Sequence, residues 1–368
     1  HPRVRRQRQM CIRDRYITVR SDFGGGPKHI NELLDLSSNG YNIYMASPLG
    51  EPYGNLWKKD IRIKGFHILP YRSFSFFRLF SLMKFIKTNN IEVVHSHGKG
   101  AGIYSRLCKL FNPSLKVVHT FHGVASSSTT HLRGFISNTV EYCLGNLTDC
   151  FICVSEGERK IVIEKKLVNV NKVFVVYNGI EDKGRKNIQN VSKKIFKIVS
   201  LSRFDYAKNM SLAYDIACAF KDNPNIHFIW VGDGPDYAYL KKKAESDLVN
   251  IDFVGFSHEP MKYLKSSDLY LSTSRFEGLP YGLIEASSVG LPIVATNVIG
   301  NNEVCVDKVN GFLYTQIEDS IKAINMLYND SHLVKCMGEN SRKIYEEKFQ
   351  IEKMISSIVD TYTQVLNQ

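Results

Sequence analysis

The chain lacks any run of about 18 or more apolar residues, the length a helix needs to cross a bilayer, so a membrane-spanning segment is not expected. Its start also lacks the apolar core of a secretory signal, and a cytoplasmic protein is the expectation. Nowhere does Asp-x-Asp occur, the arrangement that would hold a divalent ion against a diphosphate. Its eight cysteines are scattered through 368 residues, which suits buried reduced thiols better than a disulfide framework. The CxxC formed by Cys150 and Cys153 in "CFICVS" lies in a strand-like run with no second Cys or His pair nearby, so it reads as structural. There is no short-period repeat, no low-complexity tract and no RNA- or DNA-binding motif, and nucleic acid is not an expected partner.

A chain of this length exceeds what one core usually supports, roughly 250–300 residues, so two domains are expected. Short Val/Ile-rich runs alternate with helix-length amphipathic stretches, the pattern of βα units wound into parallel sheets. The strands expected in the first half are "YITVRS", "YNIYMAS", "FHILPY", "IEVVHSH", "KVVHTFHG", "CFICVS" and "VFVVYN". Residues 177–194 are polar without apolar period and read as a linker. A second alternation follows with "FKIVSLSR", "IHFIWVGDG", "IDFVGF", "LYLSTSR", "PIVATN" and "GFLY". Two helical stretches close the chain, about 316–328 and 331–366, the second broken near Phe349.

Charge is divided unevenly. Residues 1–190 carry +15 and residues 191–368 carry −3. Residues 1–15 are Arg-dense, lack strand or helix period, and are a candidate for sequence not native to the domain; without them the first half still carries +10. Such a field favours anionic partners. "YRSFSFFRLFSLMKFIKTNN" sets five phenylalanines among Arg72, Arg78, Lys84 and Lys87, a pattern shared by core helices with a solvated basic face and by helices that lie on anionic membranes.

In open parallel sheets ligands bind beyond the carboxyl ends of the strands, so the strand-to-helix loops carry the candidate sites. Arg203 and Lys208 in "SRFDYAKNM" precede a helix starting near Asn209, where backbone donors add to their charge as a phosphate clamp. Gly232, Asp233 and Gly234 end a strand; close ligand approach and a plain turn both fit them. In "RFEGLPYGLIEASSVG", Glu277 projects from a strand end, Gly278, Leu279 and Pro280 form the loop, and Glu285 lies on the first or second turn of the helix. Both carboxylates can then accept hydrogen bonds from vicinal hydroxyls of a polyol. In the first half Gly24, Gly25 and Gly26 come after a strand and before Pro27 and a helix, and permit phosphate approach without being a dinucleotide GxGxxG. His95 and His97 share a strand face; His95 and His119 are expected inside, and His97 is a candidate acceptor-side contact.

Together these residues resemble the retaining glycosyltransferases of the GT-B fold, family 4, also called glycosyl transferases group 1. The resemblance rests on the ordered set Gly24-Gly25-Gly26, His122-Gly123, Asn178-Gly179, Arg203 with Lys208, Gly232-Asp233-Gly234, and Glu277 with Glu285, each at a strand-to-helix junction from about residue 17 onward. It implies an α/β GT-B chain of two Rossmann-like domains whose parallel sheets face a central cleft: an acceptor domain over 1–182, a nucleotide-sugar domain over 183–349, and a C-terminal helix over 350–368 packing back on the first. By the same resemblance Glu277 contacts donor-sugar hydroxyls, Glu285 the ribose, and Arg203 and Lys208 the diphosphate. Gly232 to Gly234 and Phe256 neighbour the base, Gly24 to Gly26 meet the diphosphate, and His122 lies by the reacting sugar. No metal or other cofactor is implied, and no protein nucleophile. The implied activity is hexosyl transfer from a UDP- or GDP-sugar to a glycan or lipid-linked acceptor in lipopolysaccharide, capsule or exopolysaccharide assembly, by a cytoplasmic enzyme with an anionic membrane surface as a candidate partner. A nucleotide-sugar epimerase or hydrolase, or a non-enzymatic anion-binding protein, are the rival readings.

Overall fold

In a computed structural model the described residues are 13–123, 139, 141–185 and 195–367. Residues 1–12 of the Arg-dense start and 186–194 of the linker lie outside them. The chain divides into two compact units, one of residues 1–176 with 355–368, the other of residues 177–354.

Unit 1 holds a seven-stranded sheet built from β1 (Arg13–Ile17), β2 (Asn42–Ser47), β3 (Ile63–Ile68), β4 (Val93–His97), β5 (Lys116–Thr120), β6 (Cys150–Cys153) and β7 (Val173–Val175). All pairings are parallel, in the order β3-β2-β1-β4-β5-β6-β7. The first strand starts three residues before the expected Tyr16, because Arg13 to Arg15 continue the register with Asn42 to Tyr44. Its helices are α1 (Gly25–Leu33), α2 (Tyr53–Lys59), α3 (Phe76–Thr88), α4 (Lys99–Phe111) and α5 (Glu156–Glu164). Helix α1 begins inside the glycine run instead of after Pro27. Pro27 thus occupies the first turn, where backbone N–H groups have no intrahelical acceptor and a missing donor costs nothing. Ser75 and Ser155 cap α3 and α5 by accepting from Arg78 N and Glu158 N.

Unit 2 holds a six-stranded parallel sheet, β10-β9-β8-β11-β12-β13, from β8 (Phe196–Leu201), β9 (Ile226–Val231), β10 (Ile251–Gly255), β11 (Leu269–Ser272), β12 (Ile293–Thr296) and β13 (Gly311–Tyr314). Between them run α6 (Met210–Cys218), α7 (Tyr237–Asp247), α8 (Pro260–Lys265), α9 (Tyr281–Val289) and α10 (Asn301–Val304). The closing helices are α11 (Ile317–Asn329), α12 (Ser331–Lys348) and α13 (Ile351–Leu366), with the expected break at Phe349. From Ile355 onward α13 belongs to unit 1, where the Tyr362 hydroxyl lies 2.7 Å from His95 Nδ1.

Strands covered on both faces read as nearly continuous apolar runs, as β6 and β11 do; β4 is equally buried along its length but carries His95, Ser96 and His97 inside. The unit 2 core gathers Ile198, Phe204, Trp230, Leu271 and Val294 between the sheet and its helices. Cys150 and Cys153 are fully buried and burial pushes both thiols up, so neither is a ready thiolate, consistent with a structural CxxC. Among the described residues no helix is long and apolar enough to cross a membrane.

In each sheet the strand order reverses once, between β1 and β4 and between β8 and β11. Such a switch point opens a crevice at the carboxyl ends of the strands, because the loops on either side run to opposite faces of the sheet.

Candidate functional site

At the switch point of unit 2 the β8–α6 loop carries Arg203 and Lys208, and the β11–α9 loop carries Glu277. These residues lie about seventy positions apart in sequence and meet only because β8 and β11 are neighbours. Lys208 Nζ donates to Glu277 Oε1, with side chains 21% and 12% exposed, and Ser274 Oγ donates to the same oxygen at 2.7 Å. Arg203 pairs with Asp205 at 2.8 Å. The two loops are laced together by Arg275 N to Ala207 O at 2.8 Å and Thr273 Oγ1 to Lys208 O at 2.9 Å.

The Gly232-Asp233-Gly234 loop is tied to the Arg203 loop by Phe204 N to Asp233 O at 3.0 Å and Asp236 N to Phe204 O at 3.1 Å. Both glycines of this loop stand hard against neighbouring backbone. A Cβ on Gly232 (φ 141°) would stand 1.9 Å from Ser202 O, and one on Gly234 (φ 156°) would stand 2.5 Å from Phe204 O. Gly232 N donates to Gly255 O at 2.8 Å, which sets the half-exposed Phe256 beside this loop, edge-on to His258.

Helix α9 takes Pro280 as its N-cap, so Glu285 lies on its second turn and is buried. Tyr270, at the base of the crevice, donates to Leu201 O at 3.1 Å. Burial first, then the nearby charges of Glu285 and Glu277, push its hydroxyl well above the ordinary tyrosine range, so both carboxylates act on one point. Loop Gly278 to Pro280 is held from two sides: Asn178 Nδ2 donates to Leu279 O at 2.8 Å, and Gly300 approaches so closely that a Cβ there would lie 2.5 Å from Gly278 O. This gives Asn178 of the Asn-Gly motif a concrete task within unit 2.

Unit 1 builds a second cluster at its own switch point. His97, ending β4, and His122, just past β5, place Nδ1 and Nε2 2.9 Å apart. His29 of α1 stacks edge-on against His122 with ring centres 4.8 Å apart. Nitrogens of the three lie within 4.8 Å of one another, a grouping concealed in the sequence because one residue is on a helix, one on a strand and one in a loop. In the His97–His122 bond one nitrogen donates and the other accepts, the roles being set by the tautomers. Burial, reinforced by mutual repulsion, holds His95, His97, His119 and His122 well below the ordinary 6.5, so these imidazoles are neutral at physiological pH. As expected, His95 and His119 are fully buried; His95 bonds Tyr362 and Thr120, and His119 bonds Ser96.

His122 itself has a left-handed backbone (φ 62°), an uncommon state for a residue with a side chain. What holds it there is Glu158, whose carboxylate is buried and accepts from Gly123 N at 2.5 Å and Val154 N at 2.9 Å. The sequence carries a signal for this: Ser155-x-x-Glu158 is a capping box. Its glutamate reaches Val154 and the neighbouring loop in place of the cap residue's own amide. Gly24 to Gly26 open α1 next to this cluster, with Gly26 facing the His122 ring and Arg20 Nη2 flanking Gly24. Arg20, His29, Glu158, Tyr270 and Ser274 are thus site residues that sequence patterns did not single out.

The family described as Glycosyl transferases group 1 matches residues 182–344, and that described as Glycosyltransferase Family 4 matches residues 23–183. Among curated relatives, the chain is 28% identical over 307 residues to UDP-Gal:alpha-D-GlcNAc-diphosphoundecaprenol alpha-1,3-galactosyltransferase of Escherichia coli, covering 78% of this chain and 79% of that one. It is 28% identical over 319 residues to the capsular polysaccharide biosynthesis glycosyltransferase CapH of Staphylococcus aureus, covering 80% and 83%. Among solved structures, HepE of Anabaena in complex with UDP and glucose superposes with a TM-score of 0.80 at 16% identity over 96% of this chain and 99% of that chain.

Proposed function

From the premise that the chain belongs to the family 4 glycosyltransferases and has the GT-B fold, we propose that it transfers a hexosyl group from a UDP-sugar to a hydroxyl of a lipid-linked or glycan acceptor, with retention, in cell-surface polysaccharide synthesis. The observation that carries the reading is the pairing of Lys208 with Glu277 at the switch point of unit 2, beside Arg203. Cations and a carboxylate in one crevice suit a ligand that is an anion at one end and a polyol at the other, as a sugar diphosphate is.

In this reading Arg203 and Lys208 bind the diphosphate and stabilise the charge that grows on it as the glycosidic bond breaks. Lys208 exchanges Glu277 for phosphate oxygens, which releases Glu277 to accept from sugar hydroxyls. Glu285 takes the ribose hydroxyls, and Gly232 to Gly234 with Phe256 border the base. Neutral His122 serves the donor sugar as a hydrogen-bonding group, and its left-handed backbone, fixed by Glu158, presents it. No side chain is assigned as nucleophile; the departing diphosphate takes the acceptor proton. The UDP donor is supported by the UDP-Gal named for the E. coli relative and by UDP bound to HepE, and the lipid-linked acceptor by the diphosphoundecaprenol named for that same relative.

Thermal-shift measurement against UDP-, GDP- and ADP-sugars tests the donor, since a ligand at a hundredfold excess over its dissociation constant stabilises by about 2.7 kcal/mol. A shift with UDP-sugars is expected, and no shift with any nucleotide sugar would overturn the reading. Sugar release with no acceptor present would favour a hydrolase instead.

A further inference from the structure

Between Asp60 and Glu92 lie 31 residues with six Lys or Arg and no acidic side chain. This segment forms β3, at the edge of the unit 1 sheet, and α3. At 100° per residue, Leu79, Leu82 and Ile86 form one stripe of α3, and all three are buried in the unit 1 core. Phe77, Phe80, Lys84 and Lys87 form the opposite stripe and face outward. Phe76, Phe77 and Phe80 are 67%, 89% and 59% exposed, so α3 packs on the core as one reading expected, and its solvated face carries phenylalanines as well as cations.

The aromatic end is held rigidly. Phe74 packs against Tyr104 with ring centres 4.9 Å apart, and Ser75 N donates to the Tyr104 hydroxyl at 2.8 Å, so the tip is fixed to α4. Among the described residues Arg78, Lys84 and Lys87 pair with no carboxylate, whereas Arg62 and Arg72 do. Three exposed phenylalanines cost free energy in water, and unneutralised cations beside them repel a second copy of the same face.

We infer that the outward face of α3 docks on an anionic lipid bilayer, with Phe76, Phe77 and Phe80 entering the acyl boundary and Arg78, Lys84 and Lys87 lying among the phosphates. An acidic protein surface could meet the cations, but a wedge of phenylalanines with long cationic stems matches the depth gradient of a lipid interface, where the stems reach upward to the headgroups. Phe76, Phe77, Phe80, Lys84 and Lys87 are not among the residues assigned to the donor, so vesicle binding and sugar transfer can fail separately.

The test is sedimentation of the intact protein with vesicles of phosphatidylcholine alone or mixed with phosphatidylglycerol, across a salt series. Binding only to the phosphatidylglycerol vesicles, weakened by salt, is expected. Lys84→Gln with Lys87→Gln should weaken partition about 25-fold, at about fivefold per cation. Phe76→Ser with Phe77→Ser should weaken it about a hundredfold, at about tenfold per ring withdrawn from the interface. Both pairs are exposed, so melting temperature and transfer to a water-soluble acceptor should not change. Absence of wild-type binding at low salt, wild-type-like binding by the phenylalanine variant, or self-association abolished by that variant would each overturn the inference.

Discussion

Replacing Lys208 by methionine separates the two roles its ammonium can have. In the free protein it neutralises Glu277, in a pair whose side chains are 21% and 12% exposed. Exposed pairs contribute about 0.2–1 kcal/mol, and loss of one partner from a fully buried pair costs about 3–5 kcal/mol. This pair lies between, so Lys208→Met should destabilise unit 2 by about 1–2 kcal/mol, a drop in melting temperature of about 2–8 °C for a domain of this size. If Lys208 also binds the leaving diphosphate, the variant loses a charged hydrogen bond worth about 1.5–3 kcal/mol. That is about 10- to 150-fold in kcat/KM at tenfold per 1.36 kcal/mol, measured well below the melting temperature so that unfolding does not contribute. The double variant Lys208→Met with Glu277→Gln decides between the roles. Were Lys208 only the counter-ion of Glu277, removing its charge would cost nothing further once Glu277 is neutral. We expect the double variant to be less active than Glu277→Gln alone, and equal activity of the two would refute the assignment of Lys208 to the donor.

Glu158→Gln should leave one of the two amides, Gly123 N or Val154 N, facing an NH2 group, since one carboxamide oxygen replaces two acceptors. A loss of about 1–3 kcal/mol follows from a buried unmet donor, and urea titration would measure it; transfer should fall further than stability if the His122 turn serves the sugar. Gly232→Ala should prevent unit 2 from folding, because its Cβ would lie 1.9 Å from a backbone oxygen. Gly26→Ala is the opposite case: its Cβ would sit 3.6 Å from His122 Cδ2, an ordinary contact, and a helical glycine replaced by alanine gains about 0.5–1 kcal/mol. A folded Gly26→Ala protein with normal donor affinity would show that this glycine does not serve phosphate approach. Acid should weaken unit 1 first. The folded-state pKa of His95, His97, His119 and His122 lies below the unfolded 6.5, so the unfolded chain binds more protons as pH falls through about 6.5. Stability is therefore full above that pH and declines beneath it, which urea titration at a series of pH values would measure.

Composition and period alone set out most of the architecture. The short Val/Ile-rich runs located the thirteen strands of the described residues, because inner strands of a parallel sheet are covered on both faces and are largely apolar whatever their neighbours are. The break at Phe349 was equally local. The loops carrying Arg203, Lys208, Glu277 and Gly24 to Gly26 were legible because parallel sheets deliver chemistry at strand ends.

Partnership was not legible, because it depends on strand order. That Lys208 bonds Glu277 follows from β8 lying next to β11, and that His97 meets His122 follows from β4 lying next to β5. His29 enters from a helix, and no spacing rule links it to either. Glycine roles also required the fold: Gly232 and Gly26 look alike in the sequence, yet one faces a backbone oxygen and the other an open ring face. Sequence determined which residues stand at the carboxyl ends of the strands; only tertiary structure decided which of those ends are neighbours, because contact between distant loops is fixed by the order in which strands find their places in the sheet.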